Sequence, residues 1–326
     1  MKAIWYEEFG PASEVLTIGE TSDPTPNAGE VVVRVRATGI NPSDVKLRAG
    51  ARPGSVMEWP RVIPHSDGAG EIVEVGASVD RARIGQRVWI WNGQWRRPFG
   101  TGAELIALPA DQAVALPDCV SFTDAACFGI PAMTAWYALY ADGPIEGKTV
   151  LVTGGAGAVG RYACQMARLG GARVITTVSS AEKATHSTCE EWINYRDTDV
   201  VEAVQSMTDG KGIDRIVEVD FGANQAASLA MIKDGGAIAS YASAADMAPT
   251  LNFYPFMFKN TILRMLIVYL LNDAARRKGE AQLTEWLASG KLSHAAVLAG
   301  NLSNAASAHD MVMSGSKLGT VVLSAE

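Results

Sequence analysis

Cysteine is scarce and scattered in this chain. Cys119, Cys127, Cys164 and Cys189 form no C-x-x-C pair and no signal-peptide pattern precedes them, which argues against a disulfide framework or a structural zinc lobe and fits reduced thiols in a cytoplasm. Positive charge is also in deficit. Against 35 Asp and Glu stand 28 Lys and Arg, a formal net charge of −7 with no basic arm, so nucleic acid and anionic membrane are not expected partners, while a local basic groove for a phosphate stays open. Long hydrophobic runs are missing too. The most apolar stretch, Ile262 to Leu271, is too short to span a bilayer and contains Arg264, so it reads as a buried or interface strand. There is no internal repeat and no low-complexity segment. What remains is ordinary globular composition, 48% hydrophobic and 19% charged, in 326 residues, enough for two domains with separate cores.

The texture changes along the chain. Up to about Leu116, short β-type runs alternate with Gly, Pro and Asn turns: Met1–Tyr6, Glu30–Ala37, Gly70–Val75, Arg87–Trp91, Ala103–Ala107 and Ala113–Ala115. That pattern belongs to a compact all-β or barrel-like unit. From Thr123 the sequence turns helical and then repeats β and α segments through Val150–Thr153, Arg173–Val178, Arg215–Val219 and Ala237–Tyr241, as a parallel sheet wrapped by helices requires. The tail, with a helical Glu280–Ser289, an amphipathic Ala305–Ser314 and a final strand Gly319–Ser324, is expected to return to the first unit.

The richest stretch is Val150-Leu151-Val152-Thr153-Gly154-Gly155-Ala156-Gly157-Ala158-Val159-Gly160. A buried strand runs into a glycine turn that opens a helix, and Gly155, Gly157 and Gly160 make a G-x-G-x-x-G: a tight turn, a close approach of backbone to a pyrophosphate, and close helix-on-strand packing. The free N–H groups and positive dipole end of the helix favour an anion there. A glycine turn can also join strand to helix with no ligand; a helical 161–169 and a second apolar strand at 172–178 complete a βαβ unit and favour the dinucleotide. A site for NAD places Asp or Glu after that second strand, whereas this chain has Thr177, Val178, Ser179, Ser180 and then Lys183. Two hydroxyls and a lysine suit a 2′-phosphate, and the missing carboxylate removes a repulsion, so the choice leans to NADPH.

In their order and spacing, these pieces resemble the medium-chain dehydrogenase/reductase superfamily, and within it the zinc-independent NADPH:quinone oxidoreductases related to zeta-crystallin. The likeness spans nearly the whole chain. It rests on Gly39-Ile40-Asn41-Pro42-Ser43-Asp44, on Pro64-His65-Ser66-Asp67-Gly68-Ala69-Gly70 with Val73-Glu74-Val75-Gly76, and on Gly85-Gln86-Arg87-Val88. Gly102-Ala103-Glu104, Gly129-Ile130-Pro131-Ala132-Met133-Thr134-Ala135, the glycine turn and Ile193-Asn194-Tyr195-Arg196 complete it. The resemblance implies an α/β fold: a Rossmann-type doubly wound parallel sheet over 122–271 and a GroES-like β-rich catalytic domain from 1–121 and 272–326. Where zinc enzymes of the superfamily carry Cys and His, this chain has Asn41 and Ser66; neither is a good zinc ligand. His65 stands beside the lost position and is assigned no metal.

The resemblance also implies roles. Asn41 lies at the cleft where nicotinamide meets substrate and Thr134 on the helix face against the nicotinamide ring; both are the candidate catalytic residues and cofactor contacts. A turn residue before Pro42 and a helix residue bonded to its preceding turn are the plain structural alternatives, and Asp44 is equally a helix-starting carboxylate. Gly155, Ala156, Gly157, Ala158, Val159 and Gly160 take the pyrophosphate. Ser179, Lys183 and Tyr195 take the adenosine 2′-phosphate. Ser240 and Tyr241 end the strand beside the nicotinamide ribose, and Val268 offers backbone to the carboxamide.

Departures from the family limit the substrate. Many relatives carry a Tyr in the loop that here reads Ala51-Arg52-Pro53-Gly54. Trp89, Trp91 and Trp95, followed by Arg96 and Arg97, either line an aromatic pocket or pack a β core with solvated arginines. Arg264 replaces a small residue before the edge strand through which a homodimer is expected to form. The expected activity is NADPH-dependent, metal-independent hydride transfer to a quinone. The alternatives are an enone or enoyl double-bond reductase, with Arg96 and Arg97 meeting a substrate anion, and a non-enzymatic NADPH-binding structural or RNA-interacting protein.

Overall fold

The computed structural model describes every residue except Arg52, Pro53, Ser316 and Glu326; the tyrosine-free loop noted above therefore lies partly outside the described residues. In chain order the elements are β1 (Lys2–Trp5), α1 (Ala12–Val15), β2 (Thr17–Glu20), β3 (Glu30–Ile40), α2 (Pro42–Arg48), β4 (Asp67–Val75), β5 (Arg87–Ile90), β6 (Leu105–Pro109), β7 (Ala113–Ala115), α3 (Phe122–Ala126) and α4 (Gly129–Tyr140). Then come β8 (Thr149–Val152), α5 (Ala158–Leu169), β9 (Arg173–Val178), α6 (Ala181–Ser187), β10 (Glu191–Asn194), α7 (Val200–Met207), β11 (Ile213–Glu218), α8 (Phe221–Met231), β12 (Ile232–Ser240), α9 (Phe253–Phe258) and β13 (Ile262–Met265). The chain closes with α10 (Asp273–Ala288), β14 (Ala296–Asn301), α11 (Ala305–Met313) and β15 (Thr320–Ser324). Two compact units result, one from Met1–Ile130 with Glu280–Glu326 and one from Pro131–Gly279.

The first unit is built on a seven-stranded sheet in the order β14-β15-β3-β4-β5-β7, with β6 added on β3. β3 is its spine: eleven residues rich in Val pair with β4, β6 and β15, all antiparallel. One face packs Val31, Val33, Val35, Ile72, Val88, Ile90, Ile106 and Leu108 into a core. The final strand returns to this sheet with Val321 opposite Ile40.

The second unit is a six-stranded, wholly parallel sheet in the order β10-β9-β8-β11-β12-β13. Counted from β8, this is the doubly wound order 3-2-1-4-5-6, whose direction reverses between β8 and β11 and opens a crevice at the strands' carboxyl ends. Leu151, Ile175, Ile193, Ile213, Ile216 and Ile238 fill the core with Phe221 and Met231. The apolar stretch expected as one strand from Ile262 to Leu271 is shorter and more open. β13 stops at Met265 and sits at the sheet edge with Ile262 and Met265 exposed, and a 3₁₀ turn over Val268–Leu270 buries Val268. An edge strand has only one neighbour to bury it, so apolar residues there need not be core.

Candidate functional site

The glycine turn lies at the switch point of the second unit. Thr153, one residue past β8, places its hydroxyl 3.2 Å from the Val217 carbonyl and 3.1 Å from Glu218 Oε1, and accepts from the Val219 amide at 2.8 Å, which ties the ends of β8 and β11 together. Gly154 then turns at φ +68. A Cβ on Gly155 would fall 2.0 Å from Thr176 Oγ1, and one on Gly160 would fall 2.3 Å from the Gly154 carbonyl and 2.8 Å from Gly155 Cα. Packing of the turn therefore dictates these two glycines. Gly157 is different. Its φ of −73 suits any residue, it is exposed, and a Cβ there would meet nothing nearer than the Gly154 carbonyl at 3.3 Å. A side chain at 157 would press on that one carbonyl and is otherwise unopposed, so the turn leaves bare backbone exposed there. Gly157 is also the N-cap of α5 and no side chain caps that helix. The first-turn amides of Ala158, Val159 and Gly160 thus point outward with the positive end of a twelve-residue helix behind them. These residues, with Ala156 in the turn, fit a dinucleotide pyrophosphate.

The other expected cofactor contacts of this unit gather at the same end of the same sheet. Asn194 pairs in register with Val178, so Ser179 and Tyr195 leave neighbouring strands side by side, and the Tyr195 amide donates to the Val178 carbonyl at 3.1 Å. Ser180 caps α6 by accepting from the Lys183 amide at 3.3 Å, which sets Lys183 one turn from Ser179. Tyr195 is 51% exposed and Ser179 is buried. Ser240 closes β12, with its register partners Glu218 on β11 and Met265 on β13, and Tyr241 follows, donating its amide to the Glu218 carbonyl at 3.2 Å. Burial, and then Glu218, hold the Tyr241 phenol well above its ordinary value. Val268 is buried just past β13, and Thr134 is buried on α4.

Sequence reading missed Glu218. It is fully buried and is met by the Asp220 amide at 2.6 Å, Asn224 Nδ2 at 2.8 Å and Ser228 Oγ at 3.3 Å besides Thr153. A carboxylate at the end of a strand looks like any turn residue until the fold folds four donors around it.

In the first unit, Asn41 caps α2. Its amide donates to Asp44 Oδ2 at 2.8 Å while Pro42 fills the first helical position, where a missing N–H costs nothing. Its side chain is buried and donates from Nδ2 to Asp67 Oδ2 at 2.7 Å. Asp67 also accepts from the Ile130 amide at 2.9 Å, and burial pushes its carboxyl well above the ordinary range. One of the two N–H bonds of the Asn41 amide is therefore committed, and the hydrogen bond to a carboxyl fixes which way the amide faces.

His65 is fully buried in the left-handed region at φ +79. Its Nδ1 lies 2.9 Å from Thr38 Oγ1 and its Nε2 lies 2.8 Å from Nε2 of His309. Thr101 donates to the Asp67 carbonyl at 2.6 Å, Thr38 lies 2.8 Å from Thr101, and His309 Nδ1 has no partner. One proton arrangement satisfies all of this. Thr38 donates to Thr101, His65 Nδ1–H donates to Thr38, and His309 Nε2–H donates to His65 Nε2, leaving the unpartnered His309 Nδ1 as a bare lone pair. Burial lowers both histidines, His309 to about 3 with Arg48 adding to the effect. Neither nitrogen of His65 faces an open ligand position. Among the described residues no group of three or more His, Cys, Asp or Glu is placed to hold a metal ion, so the donor set does not fit zinc.

Trp89 and Trp91 are core residues. Trp89 packs edge-on against Phe128 at 5.4 Å, and Trp91 Nε1 donates to the buried Glu280 at 2.9 Å. β5 ends at Ile90, so strand alternation does not carry Trp91 onto an open face. Arg97 is engaged with the Asn92 carbonyl at 3.2 Å and Gln112 Oε1 at 2.6 Å, while the exposed Arg96 lies over the Trp95 ring. Arg97 thus braces its own loop.

Known proteins resemble the chain over most of its length. Residues 27–118 match the model of the alcohol dehydrogenase GroES-like domain and residues 158–288 that of the zinc-binding dehydrogenase. A quinone oxidoreductase of Pseudomonas aeruginosa is 36% identical over 215 residues, 64% of this chain and 63% of that protein, so the match spans less than two thirds of that relative. The human quinone oxidoreductase is 30% identical over 243 residues, 73% of this chain and 72% of that protein. The Escherichia coli quinone oxidoreductase complexed with NADPH superimposes with a TM-score of 0.86 at 26% identity, covering 99% of this chain and 100% of that one. Among the described residues no helix is long and apolar enough to cross a membrane.

Proposed function

The chain belongs to the medium-chain dehydrogenase/reductase family, in its quinone oxidoreductase-like branch, and from that premise we propose that it is an NADPH-dependent, metal-independent reductase of quinones. The observation that carries this reading is Gly157, whose bare backbone lies exposed at the start of α5 where no side chain caps the helix. The first-turn amides of α5 hold the pyrophosphate. Ser179, Lys183 and Tyr195 hold the 2′-phosphate by charge-assisted hydrogen bonds, and Ser240, Tyr241, Val268 and Thr134 serve the nicotinamide end. When bound, NADPH supplies the hydride that reduces the acceptor. The chain's own contribution is orientation and charge: Asn41, its amide aligned by Asp67, turns its second N–H toward the oxygen on which negative charge develops. We assign residues 1–121 and 272–326 to the catalytic domain and 122–271 to the nucleotide-binding domain. The setting proposed for it is the cytoplasm.

The test is oxidation of NADPH, followed by loss of its absorbance, against one quinone and one enone, with NADH and an EDTA-treated sample in parallel. Turnover of the quinone with preference for NADPH and indifference to EDTA is expected; faster turnover of the enone, or loss of activity in EDTA, overturns the assignment. The proposed assembly is a homodimer paired along β13, whose exposed Ile262 and Met265 leave an apolar sheet edge open. Sedimentation at micromolar concentration should give twice the chain mass, and a monomeric mass removes this part of the proposal.

A further inference from the structure

We propose that Glu218 is a positioning residue of the cofactor site, holding the glycine turn, through the hydroxyl of Thr153, in the shape that receives the pyrophosphate. The inference rests on the reading of that turn as the pyrophosphate site. From Gly154 to Ala158 the turn is Gly-Gly-Ala-Gly-Ala, with no side chain that can make a hydrogen bond, and glycine backbone has more conformations open to it than any other. Its shape must be set from its flanks. On one side Thr177 of β9 accepts from the Gly154 amide with its hydroxyl and from the Gly155 amide with its carbonyl, both at 3.1 Å. On the other side stands Thr153, and what holds Thr153 is Glu218.

The Thr153 hydroxyl has one proton and two acceptors within reach, the Val217 carbonyl at 3.2 Å and Glu218 Oε1 at 3.1 Å. That carbonyl already takes the Thr153 amide at 3.0 Å, and a bond to a carboxylate is charge-assisted and the stronger of the two. The hydroxyl oxygen meanwhile accepts from the Val219 amide at 2.8 Å. Engaged as donor and as acceptor, the branched side chain is held in one χ1 well, and the residue that opens the turn is held with it. Glu218 is itself anchored. Its Oε1 also accepts from the Asp220 amide at 2.6 Å and Asn224 Nδ2 at 2.8 Å, and its Oε2 accepts from Ser228 Oγ at 3.3 Å. Asn224 and Ser228 belong to α8, so one fully buried carboxylate spans from that helix to the end of β8. It cannot turn away without leaving buried donors unpaired. Thr153 is thus set against a fixed peg, and a turn already in its bound shape loses less entropy when the anion arrives.

Fluorescence titration with NADPH, at a temperature well below every variant's Tm, tests this. Thr153→Val keeps the branched shape and removes the hydroxyl, and Glu218→Leu removes the carboxylate. Each should weaken NADPH about tenfold, and the double variant should bind no more weakly than either single one, since both break the same link. Glu218→Gln keeps an acceptor oxygen for Thr153, Asp220 and Asn224 and turns a donor toward Ser228, so it should restore wild-type binding. In the cofactor-free protein, hydrogen exchange at the Gly154 and Gly155 amides should quicken in Thr153→Val. A purely structural Glu218 would lower Tm in Glu218→Leu and leave the affinity of the folded protein unchanged. Wild-type affinity in Thr153→Val overturns the proposal even where Glu218→Leu does not fold. Additive losses in the double variant, unchanged exchange at the two glycines, or a loss in Glu218→Gln equal to that in Glu218→Leu overturn it as well. If the wild type binds no NADPH, the cofactor reading itself fails and the positioning role falls with it.

Discussion

Gly157 and Gly160 stand three residues apart in the same motif, yet a side chain would meet different surroundings at the two, and replacing each by alanine separates packing from the proposed cofactor contact. At Gly160 the new methyl meets backbone, 2.3 Å from the Gly154 carbonyl and 2.8 Å from Gly155 Cα. No rotamer relieves that overlap, so α5 must move away from β8. Overpacking of this kind costs about 1–3 kcal/mol, and for a body of this size each kcal/mol lowers Tm by about 2–4 °C, giving a fall of about 2–12 °C. At Gly157 the methyl meets only one carbonyl at 3.3 Å and φ is already −73, so the cost is chiefly that of alanine for glycine at a helix N-cap, about 1 kcal/mol. The methyl nonetheless stands where the proposed site would bring a pyrophosphate to the helix. Losing one charge-assisted hydrogen bond there, about 1.5–3 kcal/mol, weakens NADPH by roughly ten- to a hundredfold. Thermal melting and fluorescence titration with NADPH read the two effects separately. A Gly157→Ala protein that binds NADPH like wild type would remove the observation on which the cofactor site rests. A Gly160→Ala protein that melts like wild type would refute the packing argument.

Lys183→Ala should raise KM for NADPH about tenfold and leave that for NADH nearly unchanged, since only the former carries the 2′-phosphate; equal effects in steady-state kinetics would take Lys183 out of the phosphate site. The buried histidines should make the protein acid-sensitive. His65 and His309 are both held below their ordinary value, His309 at about 3. The unfolded chain therefore takes up protons that the folded one refuses, and stability falls as pH drops from about 6.5, by up to about 1.4 kcal/mol per pH unit for each histidine. His309→Gln keeps a side-chain N–H for His65 and should reduce that slope when Tm is followed from about pH 7 to about pH 4.5. An unchanged slope would place the acid lability elsewhere.

Much of the nucleotide-binding unit was legible because its signals are local. A β-type run, a glycine turn and an amphipathic helix recur within about thirty residues, and β8, α5 and β9 formed where that pattern placed them. The short strands β2, β10 and β14 carry few residues each, and pairing with a neighbour rather than their own periodicity makes them strands. Trp89 and Trp91 were open to two readings in one dimension, because alternation says which side a residue faces but not whether that side is covered. Phe128 and Glu280, 39 and 189 positions away in the chain from Trp89 and Trp91 respectively, decided it.

The sequence by itself determined the family, the alternation of strand and helix around the glycine turn, the turn itself and the choice of hydroxyls and lysine over a carboxylate after β9. These are properties of adjacent residues, whose backbone preferences and spacing act before the chain has closed on itself. The tertiary structure decided which glycine of the turn answers to packing, that His65 is paired with His309, that Asp67 orients Asn41, and that Glu218 gathers buried donors. Each of those depends on groups far apart in the chain meeting in a space from which water is excluded. There the cost of an unpaired polar atom, a shifted proton affinity or a methyl with nowhere to go is set by neighbours that no local stretch of sequence contains.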